Sequence, residues 1–261
     1  MRKMTRTVGL LALAMAGSAS AADGPQWLHA PDAEALAKAF PAVAQAMAVD
    51  GRAALSCDPG PDGRMQACKV TSESPPGLGF GQVALDASRE FRIRAPSKGA
   101  VAGGTLTIPI RFQVPPDPML AKATAYRPPK SPDAQKALAR QVVARVVPDD
   151  WLAAKVGAYV TQHLPQTPGP GEDPQALADA RTAMAQAVQS GLPSMREATA
   201  LELAAHRSAA VLQAALDRPP ADPGRFLDEQ FKGLSPNWVL AEVAKIKVDA
   251  RARFCRVRDC G

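Results

Sequence analysis

Few residues in this chain have the types and spacing that a reaction would need. Glu202 and His206 are four residues apart, so on one helix they would form half of a metal site. No second pair of ligands has a recognisable spacing, and Arg207 is adjacent, so ordinary surface polar pairing is the better interpretation. His29 and His163 are isolated near proline-rich segments. Because no nucleophile motif such as Gly-x-Ser-x-Gly occurs either, the sequence predicts no enzyme, no metal and no cofactor.

A glycine-rich stretch at residues 75–81 could be mistaken for a phosphate-binding loop. Gly77, Gly79 and Gly81 are spaced before a helical pattern. The full dinucleotide spacing is missing, and the flanking pattern is not a parallel βαβ unit. We therefore expect a turn here and no nucleotide site.

The first residues, 1–21, are typical of a secretory signal peptide that is cleaved after Ala21. A positively charged start with Arg2, Lys3 and Arg6 precedes a short apolar run and then a stretch of small residues typical of a cleavage site. The run is well below the roughly 20 residues of a spanning helix, and no cysteine follows it to carry a lipid. Cleavage lowers the formal net charge from +6 to +3, too little to indicate nucleic-acid binding. We expect an exported chain without firm membrane insertion.

Alternation of apolar and polar residues predicts three strands in the first half of the chain. The first covers residues 52–57, the second 65–72 and the third 105–114. Asp62-Gly63 is a strong turn signal between the first two. A helical stripe lies between the second and third strands, and its apolar members are Phe80, Val83, Ala84, Ala87 and Phe91. A short helix capped by Asp32 comes first, which gives the order α-β-β-α-β.

Two disulfides are expected, because an even number of cysteines in an exported chain favours them. With Asp62-Gly63 at the centre of a two-residue turn, Cys57 faces Cys68 on one side of the hairpin. Cys255 and Cys260 are expected to staple the C-terminal tail. A two-ligand metal clip there is the weaker interpretation, since zinc usually takes four ligands.

Two prolines complicate that ideal hairpin register. In it Leu55 faces Val70, but Pro59 and Pro61 fall at hydrogen-bonded positions where they have no N–H to donate. We therefore expect a wider loop or a bulge near the turn.

The third strand contains a proline, which indicates which way its backbone groups point. Pro109 is tolerated mainly where the missing donor faces no neighbouring strand. Backbone groups of the odd-numbered residues should then face an open edge, either a docking site for another strand or a hazard that the proline blunts. The residues of this predicted partner-strand edge are Thr105, Thr107, Pro109, Arg111 and Gln113.

The order and spacing of these motifs resemble the C-terminal domain of the TonB energy-transducer family over about residues 35–115. The residues that carry the resemblance are Phe40-Pro41, Gly51-Arg52, Asp62-Gly63-Arg64, Val70-Thr-Ser, Phe91-Arg-Ile-Arg-Ala-Pro96 and Thr107-Ile-Pro-Ile-Arg-Phe112. The resemblance implies a small α/β domain in a Gram-negative periplasm. It also implies that the third strand accepts an extended segment of an outer-membrane transporter by strand addition.

The chain departs from the transducers of that family at its N-terminus. Their uncleaved membrane helix carries a functional histidine, which residues 1–21 lack, and a long proline-rich spacer follows, for which residues 22–31 are too short. A soluble periplasmic binding module for a transporter or other envelope protein is therefore expected. A full energy transducer for outer-membrane transport is the alternative if the leader stays as an inner-membrane tether.

The sequence predicts an α/β domain at residues 32–115, followed by a proline-rich linker at residues 116–130. The remaining residues, 131–261, are predicted to form a helical domain of five or six helices. Helix starts are predicted at Ser131-Pro132, Pro148-Asp149, Asp173-Pro174, Ser194 with Glu197, Asp222-Pro223 and Ser235-Pro236. Stops are predicted at Pro165, Gly191, Pro219-Pro220 and Gly233. The fold class is thus α+β, a small antiparallel three-stranded sheet with a helix followed by an all-α domain.

Apolar stripes in this half favour core packing over binding to a membrane surface. One runs from Leu201 through Val211 and Leu212 to Ala215, and another includes Val243 and Ile246. An adaptor whose helical half is the functional part is therefore a further alternative. An enzyme would need a pocket that joins Glu202 and His206 to acidic side chains of another helix.

Overall fold

The computed structural model describes residues 26–94, 104–114 and 125–260. Within them a half with small antiparallel sheets precedes a half of six α-helices, which confirms the predicted fold class. The expected signal peptide, 1–21, and residues 116–124 of the expected linker lie outside the described residues.

The first half contains five strands and three short α-helices among the described residues. The strands are β1 (Trp27–His29), β2 (Gly51–Pro59), β3 (Met65–Ser74), β4 (Arg92–Ile93) and β5 (Leu106–Phe112). The helices are α1 (Ala33–Lys38), α2 (Ala42–Ala46) and α3 (Phe80–Ala87).

The second half is helical throughout the part of it that the structure describes. Its helices are α4 (Asp133–Val146), α5 (Asp149–Thr161), α6 (Pro174–His206), α7 (Ala209–Asp217), α8 (Pro223–Phe231) and α9 (Asn237–Arg258).

The larger sheet has the order β3-β2-β5 with antiparallel neighbours, so β2 lies in the centre. Ala53, Leu55 and Cys57 of β2 are buried, as are Ile108 and Ile110 of β5. Their neighbours in the sequence face the other side, which is the period of two that the sequence showed. One face of the sheet therefore supports the core.

The hairpin between β2 and β3 turns one residue earlier than predicted. The N–H of Gly63 donates to the Gly60 carbonyl at 2.9 Å, and the N–H of Gly60 donates to the Arg64 carbonyl at 2.8 Å. Pro61 and Asp62 are thus the central residues, and Gly63 has a φ of 81°. A two-residue turn centred on Asp62-Gly63 is wrong because proline suits the first central position, where its φ is already correct and no donor is required.

The first disulfide forms across an irregular part of the same hairpin. Ser56 pairs with Lys69 but Asp58 pairs with Gln66, so Cys57 faces a bulge that includes Cys68. The Cα atoms of the two cysteines are 4.1 Å apart, and their sulfur atoms are bonded. Closing so short a loop stabilises the fold by roughly 2–3 kcal/mol. The bulge that the prolines led us to expect lies on the returning strand.

Helix α3 packs on the buried face of the sheet through Phe80. Its ring centroid lies 5.1 Å from that of Phe112 and 5.6 Å from that of Phe40. The helix ends at Ala87 and a 3₁₀ turn follows, so Phe91 is extended and does not continue the predicted helical stripe. It is still buried, because the chain returns to the core there.

Strand β1 was not anticipated from the sequence. Trp27 of β1 pairs with Ile93 of β4, and its ring lies 5.2 Å from that of Phe91. The pattern is only three residues long and all three are exposed, so no alternation marks it. Residues ahead of position 32, where the α/β domain was predicted to begin, thus pair with β4 of the first half.

Helix α6 is one continuous element of 33 residues, where two helices were predicted. The predicted stop at Gly191 is wrong, because this glycine lets α9 approach: a Cβ atom there would lie 2.5 Å from Cγ1 of Ile246. The predicted capping box at Ser194 is also wrong. The Ser194 hydroxyl donates to Oε2 of Glu242 on α9 at 2.6 Å, so it serves helix packing instead of a helix start.

Two of the predicted caps behave as expected and two differ. The carboxylates of Asp173 and Asp222 accept from backbone N–H groups at the starts of α6 and α8. Ser235 Oγ accepts from the Asn237 N–H at 3.3 Å, so α9 begins one residue later than predicted. Ser131 does not cap α4; its hydroxyl is buried without a hydrogen-bond partner.

The predicted stripe from Leu201 to Ala215 crosses a helix boundary. Helix α6 ends at His206, and Ser208 caps α7 by accepting from the Val211 N–H. Val211 is 41% exposed as a result, whereas Leu212 and Ala215 are buried. The stripe seen in α9 is correct, since Val243, Ile246 and Ala250 are buried.

The two halves meet through Glu172, in the loop before α6. Its Oε1 atom accepts from the N–H of Val43 at the start of α2, at 2.8 Å, and its Oε2 atom accepts from Gly169. The N–H of Asp173 donates to the Gly77 carbonyl at 2.8 Å. Glu172 is 8% exposed, so a buried carboxylate joins the helical half to α2 and to the turn before α3.

We predict that Gly51→Ala destabilises the protein because a Cβ atom there would lie 2.2 Å from the Phe80 ring. The expected loss is about 1–3 kcal/mol in the free energy of unfolding by urea. Gly157→Ala is the matched control, since nothing lies within 4 Å of its Cβ position and α5 gains a better helix former. Equal effects of the two variants would contradict the close approach.

Candidate strand-binding edge

The backbone of β5 has one side bonded to β2 and one side open. Pro109 pairs with Ala54. The Ala54 carbonyl accepts from the Thr71 hydroxyl of β3 at 3.1 Å, so it points away from β5. Ala54 and Pro109 are therefore a non-hydrogen-bonded pair, and the neighbouring pairs, Ala53 with Ile110 and Leu55 with Ile108, are the bonded ones.

This alternation decides which groups of β5 are available. Because Ile108 and Ile110 bond to β2, the N–H and C=O groups of Thr107 and Arg111 face the other side, together with the carbonyl of Pro109. The sheet order places no described strand there. We call this side of β5 the open edge.

The structure brings the five predicted edge residues together on one exposed surface. Thr107, Pro109 and Arg111 lie within β5, while Thr105 and Gln113 lie just beyond its ends. All five are exposed. Their role as the binding site of a partner remains a prediction.

Two aspartates hold the ends of β5 against β2. The Thr105 hydroxyl donates to Oδ1 of Asp58 at 3.2 Å, and the N–H of Val114 donates to Oδ1 of Asp50 at 2.8 Å. Seven consecutive residue pairs join β5 to β2, from Leu106–Cys57 to Phe112–Gly51, without a register shift. The open edge is therefore free of bulges and held at both ends, two features that the sequence did not indicate.

The opposite edge of the sheet, on β3, is less suited to a partner strand. Its pairing with β2 shifts register twice, and Ala67 in the bulge has a φ of 44°. The start of β3 is also occupied, since the N–H of Met65 donates to the Phe91 carbonyl. Bulges and covering segments are the usual means by which an edge is blunted. Of the two edges, β5 is the one on which an extended segment fits.

The pair Glu202 and His206 lies in a different part of the molecule; His206 is exposed, as surface pairing would require, but Glu202 is buried. Glu202 is 3% exposed, and its Oε2 atom accepts a short hydrogen bond from the Tyr126 hydroxyl. Its other oxygen lies 3.4 Å from Nε2 of His206. The buried carboxylate thus fastens residue 126, which comes from the predicted linker, to α6.

The surroundings of Tyr126 shift its titration. Burial is the main reason that its pKa is raised above the ordinary value of 10.0, and the hydrogen bond to Glu202 and the charge of that group add to it. Sequence reasoning missed this residue because the tyrosine is 76 positions from its partner.

Features of other site classes are absent from the residues that the structure describes. No group of three or more histidine, cysteine, aspartate or glutamate side chains is placed to hold a metal ion. Cys255 is bonded to Cys260, as the staple interpretation predicted. Across residues 26–94, 104–114 and 125–260, every helix is too short or too polar to cross a membrane.

A cavity of about 540 Å³ lies near the Tyr126 segment, between α6 and α9. Its charged lining residues are paired with one another or with neighbours: Glu197 with Arg140, and Glu242 with Lys245. The cavity does not unite Glu202 and His206 with further acidic groups, which is what an enzyme at this position would have required.

Comparison with known families supports the resemblance seen in the sequence. Residues 37–114 match the family model described as Gram-negative bacterial TonB protein C-terminal. The match runs from α1 to the end of β5 and covers less than half of the 261 residues. Searches of curated proteins and of solved structures found no match. The matched segment is therefore like a domain class that serves protein interaction in the Gram-negative envelope and is not an enzyme class.

We predict that amide exchange will distinguish the two sides of β5. The N–H groups of Thr107 and Arg111 face the open edge and should exchange quickly, whereas those of Ile108 and Ile110 bond to β2 and should be protected. Hydrogen–deuterium exchange measured residue by residue by NMR checks this. Equal protection of all four amides would mean that another segment covers the edge.

We also predict that Tyr126 makes the fold sensitive to alkaline pH. Since its pKa is raised in the folded state, its contribution is complete below pH 10 and is lost as the pH rises, because the unfolded chain ionises first. The stability difference between wild type and Tyr126→Phe should therefore shrink between about pH 9.5 and 11 in urea unfolding. Tyr159→Phe, at the exposed second tyrosine, is the matched control and should follow the wild type. A constant difference across this range would contradict the prediction.

Proposed function

We propose that this chain is a periplasmic protein-binding module that takes an extended segment of an envelope protein onto β5 as an additional strand. The observation that carries the proposal is the open edge, which presents the N–H and C=O groups of Thr107 and Arg111 and the carbonyl of Pro109 along a strand without a register shift. The match of residues 37–114 to the TonB C-terminal model supports it. The partner class that fits is an outer-membrane transporter or another envelope protein with an exposed extended segment.

Pro109 sets the strength of such binding. Thr107 and Arg111 each offer an N–H and a C=O group, but Pro109 offers only its carbonyl. Each new backbone hydrogen bond contributes about 0.5–1.5 kcal/mol, and the guest loses conformational entropy when it becomes ordered. The backbone alone therefore supports weak, reversible capture, and side-chain contacts must provide selectivity.

The position of the helical half is compatible with this function and favours an adaptor role for it. Among the described residues, its hydrogen bonds to the first half include those to Val43 and Gly77, on α2 and the turn before α3, and none is found for β5 beyond its pairing with β2. A partner strand on β5 and a second partner on the helices can therefore be bound at the same time. The carboxylate of Glu172 would keep the two bound partners in a set orientation.

Strand addition is tested with the full-length protein and a synthetic nine-residue peptide of alternating valine and threonine. Binding should shift the NMR signals of the Thr107 and Arg111 amides more than those of Ile108 and Ile110, because only the former face the guest. Unchanged β5 signals at millimolar peptide would contradict the proposal.

A pair of variants makes that titration specific to the backbone. Thr107→Pro removes a donor from the open edge and leaves the bonds to β2 intact, as the native Pro109 already does two residues away. We expect about a fivefold or greater loss of peptide affinity. Thr107→Ala keeps the N–H group and is the matched control, with an affinity close to that of the wild type.

A further inference from the structure

Two arginines face each other on the sheet surface that turns away from α3, which we call the outer face. Arg52 of β2 pairs directly with Arg111 of β5. The pair is two positions from Ala54–Pro109 and is therefore also non-hydrogen-bonded, the type in which side chains come closest. Both side chains are exposed. Like charges opposite each other on one sheet face are destabilising, so the pair is unfavourable as it stands.

The acidic residues nearest in the sheet form hydrogen bonds to other groups and no described salt bridge with this pair. Asp50 directs Oδ1 to the N–H of Val114, and Asp58, at the far end of β5, accepts from Thr105. Among the described residues, neither arginine side chain has an ion-pair or hydrogen-bond partner; every salt bridge found there lies elsewhere. On β3 the residue opposite Arg52 is the uncharged Ser74, and Lys69 lies further along the same face, opposite Ser56. The outer face beside the open edge thus carries two arginines that form no salt bridge among the described residues, although Asp50, two positions from Arg52, keeps its negative charge.

Strand geometry determines which residue of a guest would meet this charge. The backbone groups of Arg111 face the open edge, so a guest strand that adds antiparallel to β5 would place one of its residues directly opposite Arg111. Paired residues on neighbouring strands point to the same face, with Cα atoms about 5.5 Å apart in a bonded pair. The side chain of that guest residue would therefore lie on the outer face, beside Arg111 and within reach of Arg52.

We propose that the module selects partner segments with an acidic side chain at the position that pairs with Arg111. This inference rests on the proposed strand addition and specifies its register. A guest carboxylate there would accept from Arg111, and its charge would offset the repulsion between the two arginines. The guest position that pairs with Pro109 gains no donor from β5, so the acidic residue, two positions away, defines how the guest is aligned.

The test compares two peptides on the full-length protein. Both are nine-residue valine–threonine peptides; one carries glutamate and the other glutamine at the central threonine position. NMR titration gives the affinity and the β5 shifts together. The glutamate peptide should bind about three- to tenfold more tightly, and the advantage should fall with added salt because the contact is exposed.

Variants assign the preference to the pair. Arg111→Gln should make the two peptides bind equally, and Arg52→Gln should reduce the preference. Arg251→Gln removes one charge from an exposed position on α9 and is the matched control, with the preference retained. All three substitutions are at exposed sites, and far-ultraviolet circular dichroism with urea unfolding shows that each variant is folded.

The outcomes separate this inference from the proposed function. Shifts of β5 with equal affinities for the two peptides would leave strand addition intact and overturn the acidic preference. A preference that survives in Arg111→Gln would overturn it as well, since the charge would then act elsewhere. If neither peptide shifts β5, strand addition itself is overturned and the preference with it.

Discussion

A proline within a paired strand restricts how that strand can be placed in a sheet, and the geometry of β5 follows from this restriction. Pro109 has no N–H group, so its bonding side cannot face the central strand. The structure satisfies this by placing Pro109 opposite Ala54, whose carbonyl already bonds to Thr71. Because backbone directions alternate along a strand, this one pair determines the direction of all the other residues of β5. The N–H and C=O groups of Thr107 and Arg111 then point away from β2 and are available to a partner.

The rest of the first half holds this strand in place. Close approach of Gly51 to the Phe80 ring brings α3 onto the sheet, and the Phe80 and Phe112 rings pack together beneath the end of β5. The disulfide between Cys57 and Cys68 closes the hairpin on which β5 rests. A binding edge on a stapled, packed scaffold loses little entropy itself when a guest arrives, because the ordering cost falls on the guest.

The helical half is joined to this scaffold by polar contacts between distant parts of the chain. Glu172 accepts from the N–H of Val43 at the start of α2. Within the helical half, Arg258 of α9 forms salt bridges with Asp173, the N-cap of α6, and with Asp179 inside α6. The same carboxylate of Asp173 that accepts from the Gln175 N–H at the helix start accepts from Arg258, and these two bonds lower its pKa. The end of the chain, stapled by Cys255 and Cys260, thus closes onto the loop that contacts the first half.

Local signals in the sequence were sufficient for the fold class, the alternation in β5 and the caps at Asp173 and Asp222. These depend on neighbours within a few residues, where backbone preferences decide the outcome. Leu55 also pairs with Val70 as predicted, but only because the bulge on β3 compensates for the earlier turn.

Gly191 and Ser194 were misread because their partners, Ile246 and Glu242, lie about fifty residues away on α9, and packing there outweighs a local stop or cap. Contacts between distant residues also explain why the sequence did not predict β1, the hydrogen bond between Tyr126 and Glu202 or the hydrogen bond between Val43 and Glu172. Arg111, the fourth residue of the predicted edge, was recognisable from the sequence as an exposed residue, but only pairing with β2 placed it opposite Arg52. Periodicity determines which face a side chain occupies; the residue opposite it depends on how separate segments of the chain come together.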